Sequence, residues 1–144
     1  MNHKTILLVD DNQDDLALAT RAFRKLNFNK ELVVANDGVE ALAYLFGSNG
    51  DGGCAPEDLP SLVLLDLKMP RLNGFEVLRG IRASAKTSLV PVVIFTSSNE
   101  EKDIIECRNL GANNYIQKPV NFTDFTAVIR QLVFSMNLKT ASGT

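Results

Sequence analysis

The chain has 144 residues, of which 45% are hydrophobic, and its 17 acidic and 15 basic side chains give a formal net charge of −2. This composition is typical of one globular domain. The chain lacks the excess of basic residues that nucleic-acid-binding proteins carry. Its sequence contains no apolar run near the roughly 20 residues that a membrane span needs. A lone histidine near the N-terminus (His3) and two cysteines that form no CxxC pair (Cys54 and Cys107) argue against histidine catalysis, a disulfide framework and a zinc site, and we expect a cytoplasmic protein.

Short apolar runs alternate with stretches of helical periodicity along the chain. Continuous hydrophobicity over four or five residues is typical of strands buried on both faces of a parallel sheet. Such runs predict strands at 6–9, 32–35, 62–65, 91–95 and 115–117. Apolar residues at helical spacing follow each run and predict helices near 16–26, 38–46, 75–81, 99–110 and 121–136.

Local signals predict several helix boundaries and one long loop. Asp37 with Glu40, and Ser98 with Glu101, have the spacing of capping boxes at helix starts. Gly111 fits the position that ends a helix. Residues 47–60 contain four glycines and two prolines and therefore predict a loop.

Five successive strand–helix units predict an α/β fold with a parallel sheet covered on both faces. We expect the flavodoxin-like, doubly wound (βα)5 architecture with strand order 2-1-3-4-5, in which ligands bind beyond the carboxyl ends of the central strands. The predicted domain covers residues 4–137, followed by a short flexible tail at 138–144 and no output domain.

Charged and polar side chains stand where the predicted strands end. Asp10 and Asp11 follow the first strand, Asp66 the third, Thr96 ends the fourth, and Lys118 follows the fifth. Three carboxylates brought together repel one another and need counter-charge. Lys118 supplies one positive charge, and oxygen ligands without nearby histidine or cysteine suit Mg²⁺ as the second source.

The formal charge of this cluster indicates its chemistry. Three carboxylates, one Lys and one Mg²⁺ sum to about zero, and a phosphoryl group on one carboxylate would add about one negative charge and several acceptor oxygens. Lys118, the metal, a hydroxyl and backbone N–H groups could all bind those oxygens. The sequence therefore predicts a site that accepts a phosphoryl group through positioning and electrostatics.

Six segments, in order and at the predicted strand ends, resemble the receiver domains of two-component response regulators over roughly residues 4–136. The segments are Leu7 to Asn12, Asp37 to Ala41, Leu64 to Gly74, Pro91 to Ser97, Gly111 to Tyr115, and Lys118 with Pro119. Within that family, the chain is similar to the small stand-alone regulators that pair with bacterial phytochrome kinases, in its long loop before the third strand and in its segment from Asn114 to Pro119.

The resemblance implies that Asp66 accepts a phosphoryl group from the phosphohistidine of a sensor histidine kinase. It implies that Asp10, Asp11, Asp66 and the backbone carbonyl of Lys68 bind Mg²⁺. Thr96 and Lys118 would bind the phosphoryl oxygens.

The resemblance also implies roles outside this acidic cluster. Tyr115 would be an aromatic switch that swings inward as Thr96 moves, and Pro119 would follow a cis peptide bond. The side chains of Lys68 and Ser98 would border the path of the attacking water and tune the lifetime of the phosphoryl group.

The sequence is compatible with more than one function. The main expectation is a stand-alone signalling receiver that catalyses only its own phosphorylation and slow dephosphorylation. It would act through an unknown downstream protein on the face formed by 99–110, 115–118 and 121–136. The alternative is a phosphorelay intermediate that passes the group to a second histidine protein. A pseudo-receiver scaffold is disfavoured by the complete set of acids, and whether the chain forms a homodimer stays open.

The sequence does not fit an enzyme of a different class that also uses an aspartate and Mg²⁺. A Mg²⁺-dependent aspartyl-nucleophile hydrolase needs an acid two residues after its nucleophile. Asp66 is followed by Leu67 and Lys68, and Asp10 by Asp11 and Asn12, so that pattern is absent.

Overall fold

The computed structural model describes residues 5–26, 31–47, 52–118 and 121–135. Its elements are β1 (Thr5–Val9), α1 (Gln13–Lys25), β2 (Glu31–Ala35), α2 (Gly38–Phe46), a 3₁₀ turn (Pro56–Asp58), β3 (Leu62–Leu65), α3 (Gly74–Ala83), β4 (Val92–Thr96), α4 (Glu101–Asn109), β5 (Asn114–Gln117) and α5 (Phe122–Ser135). The strands form one parallel sheet in the order β2-β1-β3-β4-β5. The predicted flavodoxin-like (βα)5 fold is therefore confirmed.

The sheet separates two hydrophobic layers, and the central strands supply both. Along β1, Ile6 and Leu8 pack with apolar residues of α1 and α5, whereas Leu7 and Val9 pack with those of α2, α3 and α4. Successive residues of a strand point to opposite faces, so a sheet covered on both sides needs a continuous apolar run. None of the helices within the described ranges is long and apolar enough to cross a membrane.

The helix boundaries follow most of the predicted signals. The carboxylate of Asp37 accepts a hydrogen bond from the Glu40 amide at 2.8 Å and caps α2. Gly111 has a φ of +99°, and the amides of Gly111 and Ala112 bond back to the carbonyls of Arg108 and Cys107. This paired arrangement is the Schellman motif, which closes α4.

The predicted capping box between Ser98 and Glu101 is wrong. The N-cap of α4 is Glu100, and no side chain caps this helix. The Ser98 hydroxyl instead donates to Asp103 in the first turn, because Ser98 lies two residues before the cap. A capping box is present at α3, where Asn73 and Glu76 bond to one another's amides.

Some expectations concern residues outside the described ranges. The cis peptide bond before Pro119 and the tail at 138–144 both belong to this group. Within the predicted loop at 47–60, the described part contains the 3₁₀ turn.

Candidate functional site

The register of the parallel sheet brings the strand-end residues to one edge. Val9 pairs with Leu65, and Leu65 pairs with Ile94, so the residues that follow lie side by side. Backbone bonds extend the pairing beyond the strands, from the Asp66 amide to Val9 and from the Lys118 amide to Thr96. The fold thus gathers residues that are distant in the sequence.

Asp10, Asp11 and Asp66 form a carboxylate cluster at this edge. Each offers an oxygen, and these oxygens lie within 4.8 Å of one another. Asp10 and Asp66 are only 4% and 6% exposed, whereas Asp11 is open to solvent. A donor set made of hard oxygens with one solvent-facing side fits Mg²⁺ or Mn²⁺, which keep water among their ligands.

Lys118 provides the positive charge predicted for the cluster. Its Nζ lies 2.8 Å from Asp10 Oδ2 and 3.4 Å from Asp66 Oδ2, and its side chain is 10% exposed. The ammonium also lies 4.9 Å from the centre of the Phe95 ring. The amine therefore lies between the carboxylates and an aromatic face.

Asp15 is a fourth acid at this site, and the sequence analysis missed it. Its Oδ2 lies 2.7 Å from Lys118 Nζ. From the sequence, Asp14 and Asp15 have the position of acids that stabilise the start of α1 by interacting with its helix dipole. The available signal was that Asp15 directly precedes the buried Leu16, on a helix that begins just after the acids of β1.

Burial dominates the electrostatics of Asp10. It raises the pKa of this carboxyl to about 6, although the hydrogen bonds from Lys118 and the Asn12 amide oppose the shift. Burial would lower the pKa of Lys118, but its contacts with Asp10 and Asp15 and the charge of Asp66 outweigh burial and raise it. A cation bound at this cluster would favour the ionised form of Asp10.

The loop after Asp66 approaches the sheet closely. The Lys68 amide donates to Asp66 Oδ1 at 3.4 Å, and the Lys68 side chain is exposed. At the start of α3, a Cβ on Gly74 would lie 2.2 Å from the backbone oxygen of Asp66, so only glycine fits. This approach sets the position of the Asp66 backbone.

Arg71 ties the same loop to α2. Its guanidinium Nε donates to Asp37 Oδ2 at 2.9 Å, and its Nη2 contacts the same oxygen. Arg71 has a φ of +67°, which is unfavourable for a residue with a side chain. The ion pair with the helix cap supports this conformation, a role for Arg71 that the sequence analysis did not predict.

Thr96, Ser98 and Tyr115 form a second group beside the cluster. Thr96 is completely buried, and its Oγ1 accepts a hydrogen bond from the Ser98 amide at 3.4 Å. The half-buried Tyr115 donates through its hydroxyl to the Ser98 carbonyl at 2.9 Å. The Ser98 hydroxyl is turned toward α4, where it donates to Asp103 Oδ2 at 2.5 Å.

The structure therefore brings the predicted site residues together in two groups. Asp10, Asp11, Asp66 and Lys118 form the acidic cluster, with Lys68 at its exposed side. Thr96 and Tyr115 each bond to Ser98 at the end of β4. Pro119 follows Lys118 but lies outside the described residues.

A match to a known family agrees with this geometry. The family model of the response regulator receiver domain matches residues 6–130. The chain belongs to this family.

Relatives at similar identity come from an archaeon and a cyanobacterium. The probable methanogenesis regulatory protein FilR2 of Methanothrix harundinacea is 36% identical over 127 residues, which cover 88% of this chain and 79% of that protein. Response regulator Rcp1 of Synechocystis is 34% identical over 127 residues, which cover 88% of this chain and 84% of Rcp1.

Solved structures with the same fold include regulators associated with phytochromes. The phosphorylated cyanobacterial phytochrome response regulator RcpA is 31% identical, with a TM-score of 0.78 over 99% of this chain and 98% of RcpA. The bacteriophytochrome response regulator RtBRR is 43% identical, with a TM-score of 0.76 over 91% of this chain and 78% of RtBRR. The Mn²⁺-bound form of Rcp1 is 31% identical, with a TM-score of 0.80 over 95% of this chain and 97% of Rcp1.

Proposed function

We propose that this chain is a response regulator that accepts a phosphoryl group on Asp66 in a Mg²⁺-dependent reaction. The observation that carries the proposal is the acidic cluster itself, in which three carboxylates share one edge of the sheet with the ammonium of Lys118. The cluster offers a carboxylate nucleophile and carries more negative charge than Lys118 alone balances. Both properties suit phosphoryl transfer to a carboxylate.

Each residue of the site has its own role in this transfer. Asp66 attacks the phosphorus of a phosphohistidine, so that a P–O bond forms as the P–N bond breaks and the leaving imidazole takes a proton from solvent. Asp10, Asp11, Asp66 and the Lys68 carbonyl would hold Mg²⁺, which neutralises charge on the transferring oxygens when bound. Lys118 and the Thr96 hydroxyl would bind the phosphoryl oxygens that remain.

Phosphorylation would be transmitted through the end of β4. The Thr96 hydroxyl now accepts from the Ser98 amide, and Ser98 is bonded to both Tyr115 and Asp103. A phosphoryl group that draws Thr96 toward Asp66 would weaken this link and shift the population of the segment before α4. The downstream protein would read the changed face of α4, β5 and α5.

We further propose that the phosphoryl donor is a phytochrome-type histidine kinase in the cytoplasm. Similarity to RtBRR and RcpA supports the kinase class, and the free thiols of Cys54 and Cys107 suit a reducing compartment. Phosphotransfer from a purified bacteriophytochrome kinase should outpace transfer from a histidine kinase with an unrelated sensor. Equal rates from both kinases would contradict this pairing.

Phosphorylation is tested by intact-mass spectrometry after incubation with Mg²⁺ and acetyl phosphate. We expect the wild type to gain one phosphoryl group and to gain none when EDTA removes the metal. The Asp66→Asn variant should gain none, whereas Asp58→Asn, which changes an exposed carboxylate in the 3₁₀ turn, should behave as the wild type. An unmodified wild type, or a gain that survives in Asp66→Asn, would contradict the proposal.

A further inference from the structure

Asp15, which lies outside the metal cluster and outside the proposed acceptor position, binds Lys118 as closely as Asp10 does. The Lys118 ammonium is 2.7 Å from Asp15 Oδ2 but 3.4 Å from Asp66 Oδ2. In the unphosphorylated chain, the cation is thus bound more closely by α1 than by the acceptor. A phosphoryl group on Asp66 would have to draw the same ammonium toward itself.

We propose that Asp15 is a positioning residue that holds Lys118 away from Asp66 and thereby disfavours the phosphorylated state. This inference rests on the function proposed above, because it assumes that Asp66 accepts the phosphoryl group. It adds a regulatory role for an acid that binds neither the metal nor the phosphoryl group.

The structure holds Asp15 and Lys118 in place from both sides. The Asp15 amide donates to the side chain of Asn12 at 3.0 Å, and the neighbouring Leu16 is buried in the core. The Lys118 amide bonds to Thr96 at 2.7 Å, and its ammonium lies beside the Phe95 ring. Only the end of the Lys118 side chain is therefore free to shift between acids.

The ion pair between Asp15 and Lys118 is partly shielded from solvent. The side chain of Asp15 is 25% exposed and that of Lys118 is 10% exposed, so water and salt screen the contact only in part. A surface ion pair would contribute little, but here the lysine is nearly buried and its charge is shared among Asp15, Asp10 and Asp66. Loss of the Asp15 charge should consequently change the reactivity of Asp66.

The charge count points in the same direction. With Asp15 included, four carboxylates, Lys118 and one bound divalent cation leave the site about one charge negative, and the phosphoryl group adds about one more. Removing the Asp15 charge would reduce repulsion toward an anionic phosphoryl donor. It would also release Lys118 to bind the phosphoryl oxygens.

Asp14 offers a matched control for the rival explanation, in which Asp15 merely favours the start of α1. Both acids lie in the first turn of α1, so they interact similarly with the helix dipole. Asp14 is exposed and has no contact with Lys118 among the described ion pairs. A difference between the two substitutions therefore reports the contact with Lys118.

The test compares Asp15→Asn, Asp15→Glu and Asp14→Asn with the wild type. Two quantities are measured: the initial rate of mass gain with acetyl phosphate and Mg²⁺, and the affinity for beryllium fluoride by calorimetry. We expect Asp15→Asn to raise both by about three- to tenfold, the range for a charge-assisted contact that is partly exposed. Asp14→Asn should stay within about twofold of the wild type, and Asp15→Glu should lie closer to the wild type than Asp15→Asn does.

The outcomes separate the two proposals. If the wild type gains mass but Asp15→Asn matches Asp14→Asn, or reacts more slowly than the wild type, the role of Asp15 is overturned and the acceptor role of Asp66 stands. A slower reaction together with a lower melting temperature would identify Asp15 as a merely structural residue. A wild type that gains no mass overturns both.

Discussion

The hydroxyl of Tyr115 donates a hydrogen bond to the backbone carbonyl of Ser98 at 2.9 Å. The Ser98 amide in turn donates to Thr96, and its hydroxyl donates to Asp103. Ser98 thus connects the end of β4, the Tyr115 side chain on β5 and the first turn of α4. Each of these bonds can be removed separately.

Tyr115→Phe removes one of these bonds and keeps the ring. Because the buried carbonyl would lose its donor, we expect the free energy of unfolding to fall by about 1 kcal/mol. We also expect the amides at 97–100 to exchange with solvent faster. Urea denaturation and hydrogen exchange measure the two effects, with Tyr44→Phe on α2 as the control. Unchanged exchange at 97–100 would show that the bond does not restrain this segment.

Gly74 and Gly80 lie in the same helix and should respond oppositely to alanine. At Gly74, a Cβ would lie 2.2 Å from the Asp66 backbone oxygen, whereas at Gly80 it would meet only Leu42 at 3.5 Å. We expect Gly74→Ala to lower the free energy of unfolding by about 2 kcal/mol or more and to impair phosphorylation. Gly80→Ala should raise it by about 0.5–1 kcal/mol, because alanine favours helix.

Chemical denaturation and the mass assay distinguish these variants. A Gly74→Ala chain that is as stable and as reactive as the wild type would contradict the close approach of α3 to Asp66.

The ion pair between Asp37 and Arg71 should make stability depend on acid pH. The hydrogen bond from the Glu40 amide, together with Arg71, holds the pKa of Asp37 below its usual value of 3.8. Because the folded pKa is the lower one, this contribution is complete above the unfolded pKa and is lost as the pH falls through the folded pKa.

Asp37→Asn isolates this contribution, because asparagine can still cap α2 but cannot form an ion pair with Arg71. Urea midpoints of the wild type and the variant should differ most above about pH 4 and converge as the pH falls through the lowered folded pKa of Asp37. A constant difference across this range would mean that the ionisation of Asp37 has no part in stability.

Lys68 and Ser98 provide a test of the phosphoryl lifetime. The Lys68 side chain is exposed, so Lys68→Asn should change the dephosphorylation rate and leave the melting temperature unchanged. Ser98 is 4% exposed and bonded to Asp103, so Ser98→Glu should change the rate and also destabilise the start of α4 by charge repulsion. Decay of the phosphorylated mass measures both rates. Wild-type rates in both variants would refute this role for the two positions.

Much of the fold could be predicted because strand periodicity and parallel pairing leave few arrangements. Continuous apolar runs such as Leu62–Leu65 identify strands buried on both faces, and the residue after each run must then lie at the ligand-binding edge. This reasoning places Asp10, Asp66 and Lys118 together without any knowledge of side-chain contacts.

Side-chain contacts between different elements depend on the direction in which each helix leaves the sheet. Local sequence patterns do not specify that direction. Asp15 reaches Lys118 only because of the direction in which α1 leaves β1. The same holds for Arg71, whose partner Asp37 lies 34 residues away on another element. Ser98 had the spacing of a capping box, yet its hydroxyl bonds to Asp103 because α4 begins two residues later.

Locating the phosphoryl group tests most directly whether Asp66 is the acceptor. After incubation with Mg²⁺ and acetyl phosphate, borohydride reduction converts an aspartyl phosphate to homoserine, which peptide mass spectrometry can assign to a residue. We predict homoserine at position 66 and unmodified aspartate at positions 10, 11 and 15. Homoserine at any of those three positions, or at none of the four, would contradict the assignment of Asp66 as the acceptor.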